Sequence, residues 1–233
     1  RPLIKQMFSS RTTASSAAAA KGGIEFVVDA TIDRVYANRG EVITNVRGNL
    51  RTRGGSVLRA DLEGNFLSGQ PIALRIKPGK QGRCLRVRGR DAGAAIRSAN
   101  LYSKIAGGQI ELDITFAGGS GFVRAGKLVL RQFEVRNEAV LSQVDRRAKP
   151  SKSGPRSQGL AFRKVVLPFT TDSKFIRISE AYARGNELCA VAEGIIRKSD
   201  VAMDITGDIV PVCALNNVVG DIPLLNILFP NGL

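Results

Sequence analysis

Residues 71–77 read PIALRIK and residues 83–89 read RCLRVRG. In the first run Ile72, Leu74 and Ile76 alternate with Arg75 and Lys77; in the second, Leu85 and Val87 alternate with Arg86 and Arg88. A period of two sends successive side chains to opposite faces of an extended chain, so each run predicts a strand with one dry and one wet face. The pattern spreads in both directions. Upstream, IEFVVDA sets Ile24, Phe26 and Val28 on one face. EVITNVRGNLRT sets Val42, Val46 and Leu50 against Glu41, Asn45, Arg47, Asn49 and Arg51. SVLRADLEGNF sets Leu58, Ala60, Leu62 and Phe66 against Arg59, Asp61 and Glu63. Downstream, QIELDITF sets Ile110, Leu112, Ile114 and Phe116 against Glu111 and Asp113, and VAMDITGDIV sets Val201, Met203, Ile205 and Ile209 against Asp204 and Asp208. About eleven such runs joined by short turns predict a mainly antiparallel all-β meander.

Three stretches break the alternation. DAGAAIRSANLY (91–102) has an N-cap residue, Asp91, before an Ala-rich helical spacing, and a Gly pair follows at 107 and 108. NEAVLSQVD (137–145) and ALNNVV (214–219) each fit one or two helical turns, so two or three short helices are expected. The chain then divides into a Ser/Thr/Ala-rich linker (1–23), a β segment (24–145), a basic Pro/Gly/Ser loop (146–159), and further strands with an apolar tail (160–233). Periodicity leaves three fates for the dry face: closure into a barrel, a facing sheet, or an open trough.

Composition removes several chemistries. Histidine is absent, which excludes a Ser-His-Asp or Cys-His nucleophile within the chain. Cys84, Cys189 and Cys213 have no CxxC spacing, so no metal site is expected and the three read as small core residues. Asp61 with Glu63, and Asp204 with Asp208, sit on wet strand faces, where solvated charge is the simpler reading than a glycosidase pair. We therefore expect no enzyme and no cofactor.

Lys and Arg number 35 against 20 acids, a net charge of +15. Nucleic-acid binders gather such charge on one face among aromatics. Here Arg47, Arg51, Arg59, Arg75, Arg86, Arg88, Arg131 and Arg177 are spread over many strands with acids between them, and only RRAKPSK with Arg156, Arg163 and Lys164 forms a cluster. Nucleic acid is thus the unfavoured partner, and an anionic membrane surface the favoured one. No window supplies the ~18 apolar residues of a spanning helix. The first 23 residues lack the apolar core of a signal peptide, and the chain starts at Arg1, so it is read as a segment of a longer protein with any membrane anchor upstream.

GNLRTRGGSVLRADLEGNF (48–66), PIALRIKPG (71–79) and RCLRVRGRDAGAAIRSANLYSKIAGGQIELDITF (83–116) resemble the AsmA-like C-terminal region found in the AsmA/YhdP/TamB superfamily of Gram-negative envelope proteins. The end, GDIVPVCALNNVVGDIPLLNILFPNGL (207–233), is similar to that family's closing motif at Val210, Pro211, Leu215, Asn216, Asn217, Gly220, Ile222, Pro223, Leu224 and Leu225. After the Val-Pro step the family usually has an aromatic residue and Gly, where this chain has Val212, Cys213 and Ala214.

The resemblance implies a strongly curved sheet forming a groove, a periplasmic location with an inner-membrane anchor, and phospholipid transport between the inner and outer membranes in support of outer-membrane assembly. Phospholipid acyl chains would lie along Val42, Val46, Leu50, Leu58, Leu62, Ile72, Leu74, Leu85, Val87, Ile110, Leu112 and Ile114. Partners would include an anionic membrane surface and other envelope proteins. The tail DIPLLNILF would cap the groove end, meet a membrane, or pack on its own sheet. An envelope scaffold without lipid transfer, or a basic nucleic-acid-binding β domain, are the alternatives.

Overall fold

The computed structural model describes residues 24–80, 82–117, 124–136, 159–186, 188–200 and 202–211. They form strands β1 (Glu25–Tyr36), β2 (Val42–Arg53), β3 (Ser56–Phe66), β4 (Pro71–Gly79), β5 (Gly82–Gly89), β6 (Ile105–Ala106), β7 (Gln109–Ala117), β8 (Arg124–Arg136), β9 (Gly159–Thr171), β10 (Phe175–Gly185), β11 (Leu188–Arg197) and β12 (Met203–Pro211). One helix, α1 (Ala92–Ser98), and a 3-10 turn at Asn38–Gly40 complete them. All twelve strands belong to one sheet in the order β1-β2-β3-β4-β5-β7-β8-β9-β10-β11-β12, with β6 paired to β8. Every pairing is antiparallel. β1 and β12 are its two edges and do not meet, so the sheet is an open meander.

This bears out the antiparallel meander and α1. The described residues contain one α-helix rather than two or three; 137–145 and 214–219 lie outside them. β6 is the strand that alternation missed. It continues the line of β7 along β8, with Ile105 opposite Val135 and Gln109 opposite Arg131. Gly107 and Gly108, both left-handed at φ +62 and +81, break that line, and Gln132 on β8 opposite them is left-handed too, at φ +54, with no change of register.

The break seats α1. Two of the helix's first amide groups, which have no intrahelical acceptor, donate out of it: Ala92 N to the Gly108 carbonyl (2.8 Å) and Gly93 N to that of Gly107 (3.1 Å). Asp91 caps a third, accepting from Ala94 N at 2.9 Å, and Ser68 Oγ donates to its other oxygen. At the far end Arg97 bridges Glu41 (2.6 Å) and the Ile105 carbonyl (2.8 Å), while Asn38 Nδ2 donates to the Ser98 carbonyl. Asp91→Ala removes the cap and is expected to cost about 1 kcal/mol, seen as a melting midpoint lower by about 2–4 °C; an unchanged midpoint would refute the cap's role.

The apolar side of α1 rests on one end of one sheet face. Ala92, Ala94, Ala95 and Ile96 join Phe66, Ile105, Ile110, Leu130, Phe133, Leu160, Phe162 and Leu188 in a single buried cluster. Phe133 and Phe162 stack there with ring centroids 5.3 Å apart. The core therefore sits at the end of the sheet that carries the β1–β2, β3–β4 and β5–β6 connections.

Candidate functional site

The ladders line up the predicted apolar residues into rows. Beside α1 run Gly64, Ile72, Gly89, Ile110, Leu130 and Val165, one from each of β3, β4, β5, β7, β8 and β9. Two residues further along each strand come Leu62, Leu74, Val87, Leu112, Leu128 and Leu167, then Ala60, Ile76, Leu85, Ile114, Gly126 and Phe169. Leu50 joins the third row opposite Ala60. Cross-strand partners share a face, so Leu50, Leu62, Ile72, Leu74, Leu85, Val87, Ile110, Leu112 and Ile114 are gathered on the face that α1 partly covers. Leu62, Leu74, Val87, Leu112, Leu128 and Leu167 remain only half-buried.

Two predicted residues depart from this. In β2, Asn45 is left-handed (φ +52), and Asn45 with Val46 stands opposite the single residue Gly64. This bulge reverses the parity of the strand. A Cβ on Gly64 would lie 2.9 Å from Ile43 Cγ2 and 3.1 Å from Val46 Cγ2, so Ile43 and Val46 both border the apolar face. Ile43, opposite the buried Phe66, takes the place expected for Val42, which turns to the other side. Leu58 is the extra residue of a second bulge, where Arg51 pairs Arg59 but Thr52 pairs Val57.

The face reaches both edges. Val28 and Ile32 on β1 pair with Leu50 and Val46; Met203, Ile205 and Ile209 on β12 pair with Ile196, Gly194 and Ala190. These five edge residues are 44–63% exposed. Among the described residues, α1 is the element that packs on the sheet, with the 3-10 turn against it; the main contacts of each strand are otherwise with its ladder neighbours. The contributions of β8, β9 and β12 were not singled out as site residues from sequence. KLVLRQ and KVVLPF are continuous apolar runs, because Val129 and Val166 are buried on the opposite face as well.

That opposite face is polar and interleaved in charge. Arg75 pairs Asp61 (2.9 Å), Arg86 and Arg88 both pair Asp113 (2.7 and 2.9 Å), and Arg131 pairs Glu111 (2.8 Å). Burial opposes ionisation of Asp113, but hydrogen bonds from the two guanidiniums outweigh it and hold the carboxyl below its ordinary range. A concavity of about 780 Å³ opens on this side, lined by Arg47, Glu63, Arg88, Arg90, Gln109 and Glu111 among others. It is a salt-bridged polar hollow, bordered by Ile72 and Ile110 but distinct from the apolar rows. The carboxylates considered for catalysis are accounted for in part, since Asp61 is neutralised by Arg75.

Cys189 is buried, and that burial raises its thiol pKa. Cys84 is exposed on the polar face instead of serving as a core residue, with Thr115 opposite it; Cys213 lies outside the described residues. No group of three or more His, Cys, Asp or Glu suited to a metal occurs among the described residues, and no described helix is long and apolar enough to cross a membrane. Of the C-terminal motif, Pro211 is the last residue of β12, opposite Leu188. Leu215, Asn216, Asn217, Gly220, Ile222, Pro223, Leu224 and Leu225 lie outside the described residues. Comparison with family models, with curated proteins and with solved structures gives no match to this chain.

Proposed function

We propose that this chain is a non-enzymatic lipid-binding segment of a Gram-negative envelope protein, located in the periplasm, which carries phospholipid acyl chains along the apolar face of a curved sheet. The observation that carries this reading is the uninterrupted row pattern from Val28 on β1 to Ile209 on β12, half-exposed and without a facing sheet among the described residues. Soluble monomers rarely expose contiguous apolar surface on this scale unless it receives a partner. The bulges at Asn45 and Glu180 add local twist and bend, which favours a trough over a flat ribbon. The resemblance at residues 48–116 and 207–233 supports the same assignment.

The energetics suit reversible loading. A fully buried methylene contributes ~0.8 kcal/mol, so a chain of about fifteen methylenes laid half against the face gains roughly 6 kcal/mol. That is enough to hold a tail and little enough to release it at a membrane. On the polar face Arg75, Arg86, Arg88 and Arg131 are each paired with a carboxylate, and such interleaving of acids weakens the case for nucleic acid.

Organic extraction of the purified full chain followed by mass spectrometry tests the proposal. Phospholipid is expected in near-stoichiometric amount from the wild type. Leu62→Asp and Leu112→Asp place a carboxylate in the middle row, where it would face the hydrocarbon unpaired, and each is expected to reduce recovered lipid about tenfold or more. Wild-type protein that is empty of lipid would overturn the reading and leave an envelope scaffold; both variants loaded as the wild type would overturn the assigned face.

A further inference from the structure

One row further from α1, the apolar face changes character. Beyond Ile76, Leu85, Ile114, Gly126 and Phe169 come Pro78, Arg83, Phe116, Arg124 and Thr171, again directly paired across β4, β5, β7, β8 and β9. The four rows contain no carboxylate, and Arg83 and Arg124 are their only charged members. Both guanidiniums lie against the Phe116 ring, at 6.0 and 4.9 Å from its centroid. Arg83 Nη1 also donates to the Val57 carbonyl, which fixes the guanidinium, while Arg124 is exposed. Cations on an aromatic ring keep their N–H edges free to bond an anion.

We propose that Arg83, Phe116 and Arg124 form the headgroup site for the phosphate of a bound phospholipid, with the acyl chains directed toward α1. This rests on the lipid-binding reading above and adds to it a fixed orientation and a named anion contact. Length decides in its favour. Ile110 to Ile114 spans about 14 Å and Ile110 to Phe116 about 20 Å at ~3.4 Å per residue. One leaflet of a bilayer holds its tails within about 15 Å of hydrocarbon. Tails that end against the helix side therefore bring the phosphate to the cationic row and no further. The reverse orientation would bury the phosphate against the Ile110–Phe133 cluster, where Arg97 of α1 is already engaged by Glu41 and the Ile105 carbonyl. Guanidinium and phosphate make charge-assisted, often bidentate bonds, and Arg83 and Arg124 approach the one Phe116 ring from the strands on either side of β7.

The test uses the full chain and donor vesicles of phosphatidylcholine containing acyl-labelled phosphatidylglycerol or, in parallel, acyl-labelled diacylglycerol with the same tails. Transfer to the protein is read by fluorescence after the vesicles are removed. Arg83→Gln/Arg124→Gln is expected to lose phosphatidylglycerol uptake about tenfold or more while diacylglycerol uptake stays near wild type, and Arg83→Lys/Arg124→Lys is expected to restore most of it. Arg124→Gln alone, at an exposed position, is expected to show a partial loss and guards against misfolding of the double variant. If the double variant takes up phosphatidylglycerol as the wild type does, the headgroup site is overturned while the lipid reading stands. If the wild type takes up neither lipid, the lipid reading itself falls. Inorganic phosphate in large excess is expected to leave wild-type uptake unchanged; displacement of phosphatidylglycerol by phosphate alone, with equal phosphate binding to Leu112→Asp, would make this a free-phosphate site and overturn the proposal.

Discussion

Phe66→Ala is expected to lower the free energy of unfolding by about 3–5 kcal/mol, the range for emptying a large aromatic site in a core. Phe66 is 1% exposed and is the largest fully buried side chain described. It ends β3 opposite Ile43 and lies in the cluster that α1 closes. Its loss leaves a void that cannot collapse, because its neighbours belong to hydrogen-bonded strands and to a helix held at both ends. Urea denaturation followed by circular dichroism measures the effect. A loss under about 1 kcal/mol would mean that the helix-side cluster is not what holds the sheet together. An open sheet makes this test sharp: with one face largely half-exposed, a disproportionate share of dry burial is concentrated beneath α1.

The Gly107–Gly108 break offers a second large effect and its own control. Gly108 sits at φ +81, and a Cβ there would lie 2.6 Å from Phe133 Cβ and 2.7 Å from the Arg131 carbonyl oxygen. Gly107 is left-handed too, at φ +62, but a Cβ there meets nothing within 4 Å. Gly107→Ala should therefore cost only the left-handed penalty of about 1 kcal/mol. Gly108→Ala adds overlap with backbone and with a buried ring-bearing residue, and should cost about 3 kcal/mol or more. Since the Gly108 carbonyl accepts from Ala92 N, the clash should also loosen α1. Hydrogen exchange at Ala94 and Ala95 should then speed up in Gly108→Ala and stay near wild type in Gly107→Ala. Equal costs for the two variants would sink the assigned backbone geometry.

Much of the central sheet was legible because its strands have one face of each kind. Alternation in PIALRIK, RCLRVRG and QIELDITF fixed which side of β4, β5 and β7 is dry, and the ladders place Leu74, Val87 and Leu112 in one row accordingly. Asp91 before an Ala-rich run was enough to locate α1. Alternation failed in two identifiable ways. A bulge inserts one residue without altering composition, so Asn45 moved Ile43 into the place expected for Val42. Where both faces are apolar, as around Val129 and Val166, there is no period to read, and Leu128, Leu167 and Phe169 went unassigned.

The sequence by itself determined the chemistry of each strand: which side chains are greasy, which are charged, and that no histidine is present to support nucleophilic catalysis. Those are properties of single residues and their nearest neighbours along the chain. Tertiary structure alone decided that β1 and β12 stay apart, that α1 dries one end of the face and leaves the other open, and that Arg83 and Arg124 meet on one aromatic ring. These depend on register summed over twelve strands, where one bulge in one ladder shifts every pairing beyond it.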